Sequence, residues 1–236
     1  MSSHQSTFLN QDNFIPSSNL PSHPWPLLQK CNFQSTPRDI HLVIHGSRGG
    51  QIDPAFLDLT RQLQELRGSQ VYLEALTASS PITLNSKSVW LIPLFLLPGK
   101  HVRKDIPLIR TRLASQGVVS TLLPFLGSWP HWLSLLEFFI LTERQFSSPS
   151  LVHHPLAEGI GERYLDLLKK KLQIPIFSWT EWKERKSCLK NEYCPIPWFL
   201  TPNRSNNVIN GPGGITSLLE INLFRLGLLE ILRCLP

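Results

Sequence analysis

The sequence predicts an α/β protein of two similar lobes, each a parallel sheet flanked by helices. Three observations predict it. Short apolar runs alternate with helix-patterned segments, as in strand–helix–strand units joined by right-handed crossovers. One run, SVWLIPLFLL at 88–97, is almost unbroken in apolar residues, as a strand covered on both faces must be. The second half of the chain repeats motifs of the first in the same order.

DIHLVIHG at 39–46 is a short apolar run ending on His45 and Gly46 and reads as a buried parallel strand. After the loop SRGGQ, Asp53 caps a helix with Pro54 at its first position. Phe56, Leu59, Leu63 and Leu66 follow at helical spacing, and Gly68 ends the segment. Val71–Leu76 and Ser88–Leu97 are the next strands, and Pro81–Lys87 between them is too short for a helix. PGKHVRKDIP is a basic loop leading into a helix over Pro107–Gln116, and VVSTLLPF after Gly117 is a fourth strand.

LVHHP at 151–155 repeats LVIHG at 42–46, and the helix-like run Ala157–Leu172 follows it. IPWFLTPNRSNN at 196–207 then repeats IPLFLLPGKHVR at 92–103. Two matches at similar separation indicate an ancient duplication, and its halves differ where chemistry belongs. His154 stands in the place of His45, but Ser205 stands in the place of His101. The organisation expected is a tail over 1–37, a lobe over 38–146 bearing the active site, and a degenerate second lobe over 147–236.

Residues 1–37 are rich in Ser, Asn, Gln and Pro, with Phe8, Phe14, Trp25 and Phe33 at no regular period, which reads as a mobile or loosely draped tail. It lacks the positive start and unbroken apolar run of a secretory signal, so a cytoplasmic protein is expected. The most apolar window, Leu122–Leu141, contains Gly127, Pro130, His131 and Glu137. That content fits a buried helix better than a membrane span. Cysteines 31, 188, 194 and 234 form no CxxC pair and read as free thiols, with a metal held by Cys188 and Cys194 as the lesser alternative. An apolar share of 42% and a charged share of 17% exclude disordered and fibrous classes. The net charge of +6 favours an anionic partner, but no nucleic-acid-binding signature accompanies it.

Ligands of open α/β sheets bind at the carboxyl ends of strands, which places His45 and His101 at the expected site. Imidazole suits divalent iron, cobalt, nickel and zinc and can also accept a proton near neutral pH. Taken alone, a strand-end histidine is more often a hydrogen-bonded structural group than a ligand. Ser47 lacks the strained GxSxG elbow of a serine hydrolase. GxGxxG and GxxxxGK[ST] are absent, so nucleotide binding is not expected. Trp129 and Trp132, beside His131, read as core.

HGSRGG and PLFLLPGKHVRKDIP together resemble the CbiX/SirB family of sirohydrochlorin chelatases, the class II chelatases of sirohaem and cobalamin synthesis. PFLGSWPHWLSLL at 124–136 resembles the segment after that family's fourth strand, so the resemblance spans about residues 38–140. The second half resembles a decayed copy of the same unit, as in fused members of the family, whereas shorter members dimerise. The resemblance implies a chelatase-like fold and insertion of Fe²⁺ or Co²⁺, itself a substrate, into sirohydrochlorin or a related tetrapyrrole by a monomer of pseudo-symmetric lobes. It needs no separate cofactor and matches His45 and His101 to the paired metal-binding, proton-accepting histidines. Arg48, Lys100, Arg103 and Lys104 could then meet the macrocycle's carboxylates. Many relatives carry Glu where Thr77 stands here, and Glu74 is the nearest alternative carboxylate. A non-catalytic tetrapyrrole or metal carrier on the same scaffold is the alternative reading.

Overall fold

The computed structural model describes residues 24–25, 28, 37–142, 148–156, 159–189, 193–202 and 217–236, without the side chains of 48, 160 and 185–189. The described residues form two all-parallel sheets. The first has the order β2-β1-β3-β4, built from β1 (Asp39–Ile44), β2 (Val71–Ala75), β3 (Ser88–Pro93) and β4 (Val119–Leu122). The second has the order β6-β5-β7, from β5 (Pro149–His153), β6 (Ile176–Ser178) and β7 (Cys194–Pro197).

The duplication extends to register. Val43 of β1 pairs with Pro93 of β3, and Val152 of β5 pairs with Pro197 of β7. One step on, Leu94 N–H donates to Val43 O and Trp198 N–H to Val152 O, both at 2.8 Å. The β6-β5-β7 order thus reproduces β2-β1-β3, with β1 and β5 as equivalent central strands.

Helix α1 (Pro54–Arg67) starts as its sequence dictates: the Asp53 carboxylate accepts the Ala55 N–H at 3.0 Å, and Gly68 at φ 64° closes the last turn. Phe56, Leu59 and Leu63 are buried, but Leu66 is 56% exposed. The buried stripe drifts round a 3.6-residue helix, so by the last turn it has passed Leu66 and reached Arg67. The Arg67 guanidinium donates to the carbonyls of Leu232, Arg233, Leu235 and Arg38 at 2.6–3.1 Å and ties the C-terminus to the first sheet. Burial pushes its pKa down to about 10, against the pull of Asp39.

Alternation along β1 divides the core. Ile40, Leu42 and Ile44 face α1, while Val43 joins Leu91 against Ile106, Ile109 and Leu113 of α2 (Ile106–Ser115). Both faces are covered, as the unbroken apolar run of β3 implied. That strand ends at Pro93, earlier than its apolar run. Helix α3 (Pro130–Thr142) follows a 3₁₀ turn at Leu126–Ser128 and accounts for only the latter part of the 122–141 window, whose start closes β4. Trp129 and Trp132 are buried in the core.

In the second half, α4 (Ile160–Leu172) and α5 (Trp179–Leu189) follow β5 and β6. Residues 157–158, the expected start of α4, lie outside the described residues, as does Ser205. Leu168 and Leu172 of α4 share one continuous core with Ile40 and Leu42 of β1. The terminal helix α6 (Asn222–Arg233) packs back on the first unit, with the Phe224 ring 5.2 Å from Trp132 and 5.3 Å from Phe139. Two polar ties also join the halves: Tyr164 O–H donates to Gly127 O at 2.7 Å, and Lys171 Nζ lies 2.7 Å from Glu137. Of the tail, Trp25 is placed edge-on to Trp129 and donates its indole N–H to Ile231 O; Phe8, Phe14, Phe33 and Cys31 lie outside the described residues. Cys194 and Cys234 are free thiols, and the Cys188 side chain is not described. Among the described residues, no helix is long and apolar enough to cross a membrane.

Candidate metal centre

The chain turns sharply as it leaves β1. Gly46 adopts φ 78°, and a side chain there would run into Thr77 and Ala75. Thr77 holds this turn from β2's end: its N–H donates to His45 O at 3.2 Å, and its hydroxyl donates to Ser47 O at 2.6 Å. The result is an exposed His45 imidazole on a pinned backbone.

His101 arrives differently. The segment expected to be a basic loop, His101–Asp105, is a π-helical turn running straight into α2. Pro107 supplies the reason, because it offers no N–H to the Arg103 carbonyl and its ring crowds that oxygen, which favours a wider turn. The Ile106 N–H accordingly reaches back to His101 O.

The two rings meet. Their centroids lie 4.6 Å apart at an interplanar angle of 75°, and Phe95 stacks on the His101 ring at 6.0 Å. His45 Nδ1 lies 2.7 Å from Gly46 O, and His101 Nδ1 lies 2.6 Å from Asp105 Oδ2. A carbonyl and a carboxylate oxygen accept only, so each Nδ1 is the donor. In the neutral form each ring then offers Nε2 to a divalent metal, and Asp105 supplies the outer hydrogen bond that such ligands require.

Asp105 was not among the residues singled out from sequence. Its signal was the i,i+4 spacing in HVRKD, legible only if that segment is helical.

Glu74 belongs to a different network. It is 4% exposed, its carboxylate receives Arg112 Nη2 at 2.6 and 2.9 Å, and His41 Nε2 lies 2.9 Å away. Burial pushes the Glu74 pKa up, but the hydrogen bonds of His41 and Arg112 outweigh it and hold the carboxyl below its usual range. This carboxylate is a buried counterion between sheet and α2, neither an exposed strand residue nor a free base. It borders an open groove that runs past Thr77 to His101 and Asp105.

Lys100, Arg103 and Lys104 are exposed at the mouth of the site, and none forms an ion pair with a described residue. The Arg48 side chain lies outside the described residues. Among the described residues, no cluster of three or more His, Cys, Asp or Glu could hold a metal.

The CbiX family model matches residues 39–138, the stretch that carries both histidines. The matched segment spans the whole first sheet and most of α3. The fold agrees with SirB from Bacillus subtilis with Fe³⁺, at 17% identity and a TM-score of 0.53, over 71% of this chain and 79% of that one. The sirohydrochlorin chelatase SirB from Bacillus subtilis subspecies spizizenii in complex with cobalt is similar at 16% identity and a TM-score of 0.49, over 71% and 77%. No curated protein matches the chain by sequence.

Proposed function

We propose that this protein inserts a divalent metal, Fe²⁺ or Co²⁺, into sirohydrochlorin or a closely related carboxylated tetrapyrrole. The observation that carries the reading is the His45–His101 pair, each ring held through Nδ1, inside the segment that the CbiX family model matches. The SirB fold, described with Fe³⁺, supports this reading.

The open coordination suits delivery. A closed four-ligand site retains its metal, whereas two imidazoles leave positions for water and for the incoming pyrrole nitrogens. The metal is a substrate and binds the Nε2 atoms of His45 and His101. Lys100, Arg103 and Lys104, together with Arg48, meet the acetate and propionate groups of the macrocycle and set its orientation. No nucleotide or redox cofactor is required, because the metal keeps its oxidation state. Its choice of metal depends on geometry and supply, since imidazole binds both ions. The two lobes pair within one chain, which makes a monomer sufficient, and the free thiols Cys194 and Cys234 suit a reducing cytoplasm.

The deciding experiment mixes purified protein with sirohydrochlorin and either Fe²⁺ or Co²⁺ and follows the macrocycle's visible spectrum. Metallation faster than in the protein-free mixture is expected, with loss of that acceleration in folded His45→Ala and His101→Ala. Normal rates in both variants would overturn the assignment. Thr77 in place of a carboxylate favours one rival, a tetrapyrrole or metal carrier, which predicts tight macrocycle binding with no acceleration.

A further inference from the structure

The loop over 94–100 carries the chain from β3 to His101, and two contacts brace it from beyond the first sheet. Gly127 N–H donates to Phe95 O at 3.0 Å. A Cβ on Gly127 would lie 2.0 Å from Leu96 O, so the Leu126–Ser128 turn meets the loop backbone to backbone. The same turn also faces α4: Tyr164 O–H donates to the buried Gly127 at its carbonyl, 2.7 Å away, and the Tyr164 ring packs edge-on against Phe125. The second contact starts one turn earlier on α4. Leu156 sits between Gly161 and Gly99, where added Cβ atoms would lie 2.7 and 3.7 Å from its two methyl groups.

We propose that Tyr164 is a positioning residue for His101: through Gly127 and Phe95, α4 of the second half holds the imidazole that the metal must find. The proposal rests on the metal-insertion reading above for its meaning in catalysis, but its readouts need neither macrocycle nor turnover.

The route is short and stiff. No side chain intervenes between Gly127 and the loop, so a shift of that peptide passes to the backbone of Phe95 and Leu96. The Phe95 ring in turn stacks on His101, with centroids 6.0 Å apart and an interplanar angle of 20°. His45 is held separately, on the turn that Thr77 pins. Burial pushes the Tyr164 pKa well above its ordinary value, so the hydroxyl keeps its proton and remains a donor. Without that hydroxyl, Gly127 O is a buried acceptor that has lost a partner, and the turn gains by moving to replace it. The half with Ser205 in the place of His101 thus supplies the helix that aims His101.

The test compares wild type with Tyr164→Phe, Leu156→Ala and Lys171→Met, the last of which breaks the other polar tie between the halves, at Glu137. Imidazole C–H resonances are recorded by NMR on the metal-free protein, and Co²⁺ affinity is measured by visible titration. Tyr164→Phe should move the His101 resonances more than those of His45 and lower Co²⁺ affinity about fivefold. Leu156→Ala should act in the same direction, and it decides by the same criteria should Tyr164→Phe not fold. Lys171→Met should change neither quantity. Unmoved His101 resonances or an unchanged Co²⁺ affinity in folded Tyr164→Phe overturns the proposal. So does an equal loss of affinity in Lys171→Met, which would make contact between the halves in general responsible. If the expected shifts appear in a protein whose wild type does not accelerate metallation, the chelatase reading falls and the positioning of His101 stands.

Discussion

Removing the Asp105 carboxylate tests how far the histidine pair depends on what stands behind it. Asp105 accepts the His101 Nδ1 proton at 2.6 Å and so fixes both the ring's orientation and the tautomer that leaves Nε2 free. Outer hydrogen bonds of this kind are worth about 10–100-fold in metal affinity, or about 1.4–2.7 kcal/mol. His101 and Asp105 are 38% and 32% exposed, so water screens the pair and places the effect near the lower bound, about tenfold. Asp105→Asn retains a carbonyl oxygen at the same place and should lose only about threefold, because the tautomer survives and the charge does not. Titration with Co²⁺, followed by visible absorbance, measures both variants, and sirohydrochlorin metallation should fall in parallel. If Asp105→Ala binds Co²⁺ as tightly as wild type, the carboxylate has no positioning role and the geometric argument for His101 fails.

Four other outcomes follow from the same structure. Arg67→Leu removes the donor to four carbonyls and should lower unfolding free energy by about 3 kcal/mol or more in urea titrations. Glu74→Gln should cost about 2–4 kcal/mol by leaving Arg112 poorly paired. Because the folded Glu74 pKa lies below its unfolded value, its contribution is complete above the ordinary carboxylate pKa and disappears as pH falls through the folded one. The acid limb of wild-type stability should therefore be steeper than that of Glu74→Gln. Gly46→Ala forces a side chain into positive φ against Thr77 and should cost about 1–3 kcal/mol, with weakened metal binding at His45 in Co²⁺ titration. Replacing Lys100, Arg103 and Lys104 with glutamine should raise KM for the macrocycle by roughly tenfold, at about 0.5 kcal/mol per exposed pair, and should reduce its salt dependence with kcat little changed.

The strands, the duplication and both histidines were legible because they depend on local pattern: apolar runs, strand-end positions and repeated motifs. Three features escaped, two because they depend on partners distant in sequence and one because a local rule has an exception here. Arg67 occupies a helical position that only the phase of the buried stripe reveals, and three of its four acceptors lie more than 160 residues away. Glu74 reads as a candidate carboxylate or an ordinary exposed strand residue until Arg112 and His41 are seen on the same face of the sheet. The basic segment before α2 reads as a loop because Pro107 normally marks a helix start, whereas here a π turn carries the helix back to His101 and brings Asp105 behind it.

The inequality of the halves then acquires a physical meaning. A symmetric site with a second pair of held imidazoles would enclose the ion from both sides, and each added ligand would slow its transfer. On the metal-insertion reading, Ser205 in the place of His101 would leave the His45–His101 pair as the single imidazole pair that carries the ion.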